Sequence, residues 1–241
     1  MKIKVSFVIA ARNEQRRIGR CLSSVVLESQ GREDVEIIVV DNGSTDATSD
    51  IVGLFPFVRL IHDPIAGVAR TRKAGFEQST GDLVFFLDAD NEFVPGRLAR
   101  LEKEFDENPG MVCLSGPLIY HDVSPRVRLL VRFFYICGII NSTIFKKFSI
   151  VQGGNYVVRR TALEAIGGHD ASLIFYGEDV DIARRLRIVG EVRFSTSFSI
   201  KSSGRRLIQE GVFTMGAKYM TNYFWIMFFK RPFTKKMKVL H

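Results

Sequence analysis

Gly81-Asp-Leu-Val-Phe-Phe-Leu-Asp-Ala-Asp90 is the stretch that decides the fold. Leu83 to Leu87 is an unbroken apolar run of strand length, the pattern of a strand buried on both faces. It ends in two carboxylates, Asp88 and Asp90, with the small Ala89 between them. In open α/β sheets, ligands collect outside the carboxyl ends of the strands. An Asp-x-Asp at that position offers hard oxygen donors to a divalent cation, and the cation can hold a diphosphate. A strand that merely stops in an Asp-rich turn reads the same locally. The surrounding chain has to choose between the two.

Upstream, apolar runs alternate with helical periodicity. Val5 to Ala10 reads as a strand, followed by the loop Ala11-Arg-Asn-Glu14, with Asn13 expected to cap a helix from about Glu14 to Ser29. Glu36 to Val40 is a second strand ending at Asp41. The turn Asp41-Asn-Gly-Ser-Thr-Asp46 follows, and Asp46 is placed to cap a helix carrying Ile51, Val52 and Phe55. Val58 to Ile61 is a third strand, and a helix near Val68 to Gln78 leads back to the Asp88 strand. This β-α-β-α-β-α-β order predicts a parallel sheet with right-handed crossovers.

Downstream, Pro95 is expected to start a helix reaching about Asn108 with Leu98, Leu101 and Phe105 inward. Met111 to Tyr120 reads as one strand bent at Gly116-Pro117, and Ile150 to Val158 as a strand around Gly153-Gly154. A short helix from Thr161 to Ile166 should stop at Gly167-Gly168. Glu178 to Val189 is helical up to Gly190, and Val192 to Ile200 alternates loosely as a strand. The two halves, split near residue 110, read as parts of one domain.

The chain has 241 residues, 46% of them hydrophobic and 25% charged, enough to bury a core. Its formal charge is +8, with basic residues scattered until the C-terminus and no nucleic-acid motif. An anionic nucleotide or an anionic membrane surface accounts for the excess. Cys21, Cys113 and Cys137 are isolated, which fits a reducing compartment and argues against a disulfide framework or a zinc site. No signal-peptide pattern precedes the first strand. No uncharged apolar run reaches the roughly 18 residues of a membrane span.

Four clusters carry chemistry. The loops Ala10-Ala-Arg-Asn-Glu14 and Asp41 to Asp46 should lie side by side at the mouth of the sheet, where Asp41 can accept a hydrogen bond from a base edge, although Asp-Asn-Gly also favours turns on its own. Gly67-Val-Ala-Arg-Thr-Arg-Lys-Ala-Gly75 opens a helix whose basic side chains suit a phosphate. A solvated face accounts for at least one of Arg70, Arg72 and Lys73; Arg70 and Lys73 are the candidates. Phe175-Tyr-Gly-Glu-Asp179-Val-Asp181 delivers three acids in four residues at a helix start. Ser202-Ser-Gly-Arg-Arg206 could clamp a diphosphate leaving group or be a basic surface turn. The four histidines are scattered, and His169 is the one near a proposed site.

Taken in order, Ser6 to Glu14, Asp41 to Asp46, Gly81 to Asp90, Gly153-Gly-Asn-Tyr-Val-Val-Arg159 and Gly177-Glu-Asp179 resemble the motifs of family 2 glycosyltransferases over roughly residues 3 to 206. The resemblance implies an α/β GT-A fold: a Rossmann-like mixed, mainly parallel sheet flanked by helices. It implies residues 1–206 as the catalytic domain, with a nucleotide-sugar-binding half (1–110) and an acceptor-binding half (111–206), then an amphipathic basic segment at 207–241. It also implies roles. Ala10, Arg12, Glu14 and Asp41 would line the nucleoside pocket. Asp88 would lie near the ribose and the metal, Mg²⁺ or Mn²⁺, with Asp90 as its main ligand. Gly153 and Gly154 would shape the donor-sugar and acceptor floor. Asp179, with Glu178 and Asp181 as its competitors along one helix turn, matches the general base of an inverting reaction. Arg205 and Arg206 stand where many members carry Gln-x-x-Arg-Trp. Its absence, with that of multiple spans, speaks against a processive cellulose- or chitin-type synthase.

The expected partners are a nucleotide-diphosphate sugar and a glycan or lipid-linked acceptor. A sugar-phosphate nucleotidyltransferase is a rival, but such enzymes carry a Gly-rich basic loop after strand one, and Ala-Ala-Arg-Asn-Glu has no glycine. A non-catalytic nucleotide-sugar-binding module is another. Val127 to Phe148 and Tyr219 to His241 pair apolar and aromatic residues with basic clusters, which suits the headgroup boundary of an anionic leaflet on the cytoplasmic face. Buried helices or an oligomer interface would use the same residues.

Overall fold

The computed structural model describes residues 5–144, 150–173, 177–229 and 233. Its elements, in chain order, are β1 (Val5–Ala11), α1 (Ile18–Glu28), β2 (Val35–Asp41), α2 (Thr48–Val52), β3 (Val58–His62), α3 (Val68–Gln78), β4 (Leu83–Asp88), α4 (Arg97–Glu107), β5 (Met111–Ser115), β6 (Leu118–Tyr120), α5 (Pro125–Ile144), β7 (Asn155–Arg159), α6 (Arg160–Ala165), α7 (Glu178–Val189), β8 (Glu191–Phe194), β9 (Ile200–Ser202), α8 (Arg205–Glu210) and α9 (Val212–Phe229).

Seven strands form one sheet in the order β3-β2-β1-β4-β7-β5-β8, and β6 pairs with β9 apart from it. The first four strands are mutually parallel, β7 runs antiparallel to β4 and β5, and β8 is parallel to β5. The chain leaves β1 toward β2 and β3, then crosses back to β4 on the other side of β1. That reversal makes a crevice at the carboxyl ends of β1 and β4. Ala10 is in register with both Val40 and Asp88, so the strand ends carrying the candidate residues finish level with one another.

As the apolar run requires, β4 is buried on both faces. Leu83, Phe85 and Leu87 join one core layer with Phe7, Leu22 and Phe105; Val84 and Phe86 join the other with Val8, Tyr156 and Leu186. Phe85 stacks on Phe7 with ring centroids 5.2 Å apart. Each such burial contributes on the order of 2–3 kcal/mol. The core is thereby centred on the strand that ends at the acidic pair.

Several elements differ from the sequence expectation. Asn13 does not cap a helix. It adopts φ 54°, and α1 starts only at Ile18 with no side-chain cap. The single strand expected over 111–120 is two strands in different sheets. Pro117 offers no N–H to a ladder, and a Cβ on Gly116 would overlap the Phe198 carbonyl, so the chain turns out of the sheet there. The strand expected over 192–200 divides for the same reason, because its ends pair with β5 and β6 separately. The helix expected to carry Phe55 ends at Val52. The C-terminal boundary expected at 206 falls inside α8. Of the two apolar segments expected at a membrane boundary, residues 127–144 lie in α5 and 219–229 in α9, and residues 145–148, 230–232 and 234–241 lie outside the described residues; among the described residues no helix is long and apolar enough to cross a membrane.

Candidate active site

The strand-end loops are fastened to one another by side chains rather than by helix caps. Asn13 Oδ1 accepts from the Thr45 amide at 2.9 Å, and the Asn13 amide donates to Ser44 Oγ at 2.9 Å. The Glu14 amide donates to Thr48 Oγ1 at 2.8 Å. Asn42 Nδ2 donates to the carbonyls of Asp63 at 3.0 Å and Ile65 at 2.7 Å, and its Oδ1 accepts from the Gly67 amide at 3.0 Å. Three loops are therefore fixed around the crevice mouth. A cleft of about 440 Å³ opens there, lined by Ala10, Arg12, Glu14, Asn42 and Gly67 from these loops and by Gly153, Asp179 and Arg205 from later in the chain.

Asp41 does not face this cleft. It is buried, with Oδ1 accepting from the Ser44 amide at 2.9 Å and Oδ2 from the Ser49 hydroxyl. Its neighbour Asn42 is the residue of that turn lining the cleft. Arg70 and Lys73, expected to bind phosphate, are likewise absent from the cleft lining. Arg70 turns to Asp63 at 3.1 Å, and Lys73 lies 4.0 Å from Glu77 on the outer face of α3. The basic side chain that enters the site is Arg72, fully buried and lining the cleft. Its position was visible in the sequence: Ala69, Arg72 and Phe76 fall on one helical stripe, and that stripe packs inward.

Arg72 joins the two halves of the site. Its Nη2 donates to Asp88 Oδ1 at 2.7 Å, its Nη1 donates to Glu178, and its guanidinium lies 5.7 Å from the Tyr156 ring centroid. Asp88 is held from the other side by Gly154, at φ 77°, where any Cβ would overlap the carboxylate. The Gly154 carbonyl accepts from Asn91 Nδ2 at 2.6 Å. Asp90 lies two residues beyond Asp88, with Arg205 Nη2 at 3.7 Å. Burial, with the Asp88 and Glu14 carboxylates nearby, pushes the Asp90 carboxyl up to about 7, against the opposing pull of Arg205 and Arg206.

Asp179 sits in the first turn of α7 and lines the cleft. Burial raises its carboxyl above the usual range, against the amides of Val180 and Gly153 and the charge of Arg72. Glu178 is turned inward onto Arg72. Both neighbouring acids line the cleft, but Glu178 is buried and held by Arg72, whereas Asp179 is only partly buried. Phe175 and Tyr176, expected to shape this turn, lie outside the described residues. His169 is not at the site: it is buried, with Nε2 2.6 Å from the Tyr156 hydroxyl and its ring edge-on to Phe86. Arg205 pairs with Glu14, at 3.0 Å through Nη1, and Arg206 lines the cleft beside it.

Among the described residues no group of three or more His, Cys, Asp or Glu side chains could hold a metal by itself. Asp88 and Asp90 nonetheless fit a divalent cation. Both are oxygen donors lining the cleft, and burial, added to by the Asp88 and Glu14 carboxylates, holds the Asp90 carboxyl above its ordinary range. Mg²⁺-type sites commonly take only one or two carboxylates and complete their shell with phosphate oxygens and water.

The family model for glycosyl transferase family 2 matches residues 6–167. The chain belongs to glycosyltransferase family 2. Asp179, Arg205 and Arg206 lie beyond the matched segment. Among curated relatives, the chain is 30% identical over 211 residues to a probable glycosyltransferase, YdaM, of Bacillus subtilis, covering 79% of this chain and 48% of the relative. It is 38% identical over 113 residues to an undecaprenyl-phosphate 4-deoxy-4-formamido-L-arabinose transferase of Pseudomonas fluorescens, covering 42% of this chain and 33% of that one. The chain thus spans half or less of these relatives' lengths. Among solved structures, a mannosyltransferase from Pyrobaculum calidifontis in complex with GDP-Man and Mn²⁺ superposes with a TM-score of 0.72 at 19% identity, covering 95% of this chain and 64% of that one. TarS of S. aureus, residues 1–349 with UDP-GlcNAc, gives 0.66 at 17% identity over 84% of this chain and 59% of that one. The family 2 chain has the GT-A fold.

Proposed function

We propose that the chain is a metal-dependent, inverting glycosyltransferase that moves a sugar from a nucleotide-diphosphate sugar to an acceptor hydroxyl or lipid phosphate. The observation that carries this reading is that Asp88, Asp90 and Asp179 line one cleft, with Arg72 joining Asp88 to Glu178, the residue before Asp179. The loop residues Ala10, Arg12 and Asn42 bound the side of the cleft suited to the nucleoside. Asp88 and Asp90 would hold Mg²⁺ or Mn²⁺, which neutralises a diphosphate and favours its departure when bound. Asp179 accepts the proton of an acceptor hydroxyl as that oxygen bonds to the anomeric carbon. The anomeric carbon–diphosphate bond breaks on the opposite face, its electron pair leaves with the nucleoside diphosphate, and the centre inverts. Arg206, and Arg205 once released from Glu14, are the cations available to the departing charge.

We further assign the exposed apolar faces of α5 and α9 to an anionic membrane surface, on the cytoplasmic side. Leu129, Phe133 and Ile136 are exposed on α5 near Arg126, Arg128 and Arg132, and Phe213, Phe224 and Phe228 on α9. Lys146, Lys147 and the lysines of 230–238 belong to the same basic composition and lie outside the described residues.

The test is nucleotide release from a panel of UDP-, GDP- and dTDP-sugars with Mn²⁺ or Mg²⁺. Turnover with one donor that stops in excess chelator, and that Asp90→Asn abolishes, is expected. Binding without turnover on any donor would favour a non-catalytic module, and full activity in chelator would sink the metal.

A further inference from the structure

One wall of the cleft comes from the C-terminal helix. Met215 and Tyr219 of α9 line it, beside Leu118, Tyr120 and Leu207. Leu118, Leu207 and Met215 give this part of the lining an apolar surface, whereas Arg12, Asn13, Glu14 and Asn42 give the strand-end loops a polar one. The helix reaches the reacting centre as well. Ile226 packs on Gly177, the left-handed residue that starts the Glu178–Asp179 turn, so closely that a Cβ there would overlap it.

Met215, Tyr219, Asn222 and Ile226 recur at helical spacing along one stripe of α9. Phe213, Met220, Phe224 and Phe228 recur along the opposite stripe and are exposed, Phe213 by 78%. Beside them stands α5: a Cβ on Gly216 would lie 3.9 Å from the Phe134 ring. Tyr219 lines the cleft and is also 40% exposed, so the apolar lining opens to the outer surface at this residue.

We propose that Met215 and Tyr219 are the specificity-determining residues of the acceptor subsite, and that they take the apolar portion of an amphiphilic acceptor whose accepting oxygen lies at Asp179. The proposal rests on the glycosyl-transfer reading for the identity of its ligand, though the subsite itself is independent of any donor. A polar glycan without an apolar group would leave this wall facing water.

Octyl β-D-glucoside below its micelle-forming concentration is the probe, with free glucose as the chain-free control, both measured by calorimetric titration of the full chain. Wild type should bind the glucoside and not glucose. Tyr219→Ser should weaken the glucoside about ten-fold, and Tyr219→Phe should restore it. Phe57→Ser, an exposed aromatic just before β3 and outside the cleft lining, should leave it unchanged. Equal binding of both probes, no binding of the glucoside, or equal losses in Tyr219→Ser and Phe57→Ser would overturn the proposal. Thermal stabilisation of wild type by nucleotide with Mn²⁺ reports the donor side separately. Nucleotide binding without glucoside binding removes the subsite alone, and glucoside binding without any nucleotide removes the glycosyl-transfer reading alone.

Discussion

Arg72 Nη2 stands 2.7 Å from Asp88 Oδ1, inside a side chain only 2% exposed to solvent. The same guanidinium holds Glu178, itself buried, so one cation balances two acids contributed by β4 and α7. Removing one member of a buried ionic set leaves its partners uncompensated and costs about 3–5 kcal/mol. Arg72→Ala should therefore lose about that much stability in urea unfolding. Arg72→Lys should recover only part of it, because an ammonium cannot fork between two carboxylates. A loss below about 1 kcal/mol would mean that the two acids are neutralised in another way.

The division of labour between neighbouring acids is equally testable. Asp179→Asn keeps shape and removes the proton acceptor, so turnover should fall by about 10²–10⁴-fold with nucleotide binding and melting temperature retained. Glu178→Gln should instead lower the melting temperature, since it unbalances Arg72. If Glu178→Gln is inactive but stable while Asp179→Asn still turns over, the assignments are reversed.

His169 gives the pH dependence a sign. Burial, aided by the charges of Arg72 and Arg185, holds its imidazole well below the usual 6.5. The folded chain thus keeps His169 neutral while the unfolded chain protonates it as pH falls through about 6.5. Its contribution is complete above that pH and is lost below it, by about 1.4 kcal/mol per pH unit. The difference in stability between wild type and His169→Gln, measured between pH 7 and 5, should show this slope; the raised Asp90 carboxyl contributes a slope of opposite sign to both proteins. An unchanged slope in the variant would place the lost protons elsewhere.

The membrane assignment predicts sedimentation with anionic vesicles, weaker in high salt. Trp225, the sole tryptophan, lies on α9, so its emission should shift to the blue as the helix meets lipid. Phe224→Ser with Phe228→Ser, or charge reversal at Lys235, Lys236 and Lys238, should reduce both signals. Deleting the C-terminal helix is a poor test, because Met215 and Tyr219 line the cleft. A chain that stays in the supernatant with every lipid mixture points to a soluble acceptor.

The sequence was most legible where one physical rule acted alone. The apolar run to Asp88 had strand length and no competing period, and α3 and α7 keep the bounds that their spacing predicted. Arg72 was obscured by two other basic residues in the same turn and a half, although its stripe distinguished it. Asn13 could not be read as a loop clasp, since its left-handed backbone and its bond to Thr45 depend on a turn 32 residues away. The break at Gly116-Pro117 was visible as a bend, but not the departure of the chain to pair Leu118 with Ile200 of β9, 82 residues later. The composition of α9 suggested a membrane boundary; only its packing on Gly177 revealed the stripe that faces the cleft.

Inserting β7 between β4 and β5 also has a consequence for synthesis. Leu83 pairs with Arg159, so the central strand is made long before its neighbour exists. At ~5–20 residues per second, the edge of β4 waits roughly 4–15 s on the ribosome, with Val84 and Phe86 lacking the cover of Tyr156 and Val158. An apolar edge of that kind templates aggregation. Production of this chain should therefore depend on holding chaperones during that interval, and slowing translation between codons 90 and 155 should lower the soluble yield.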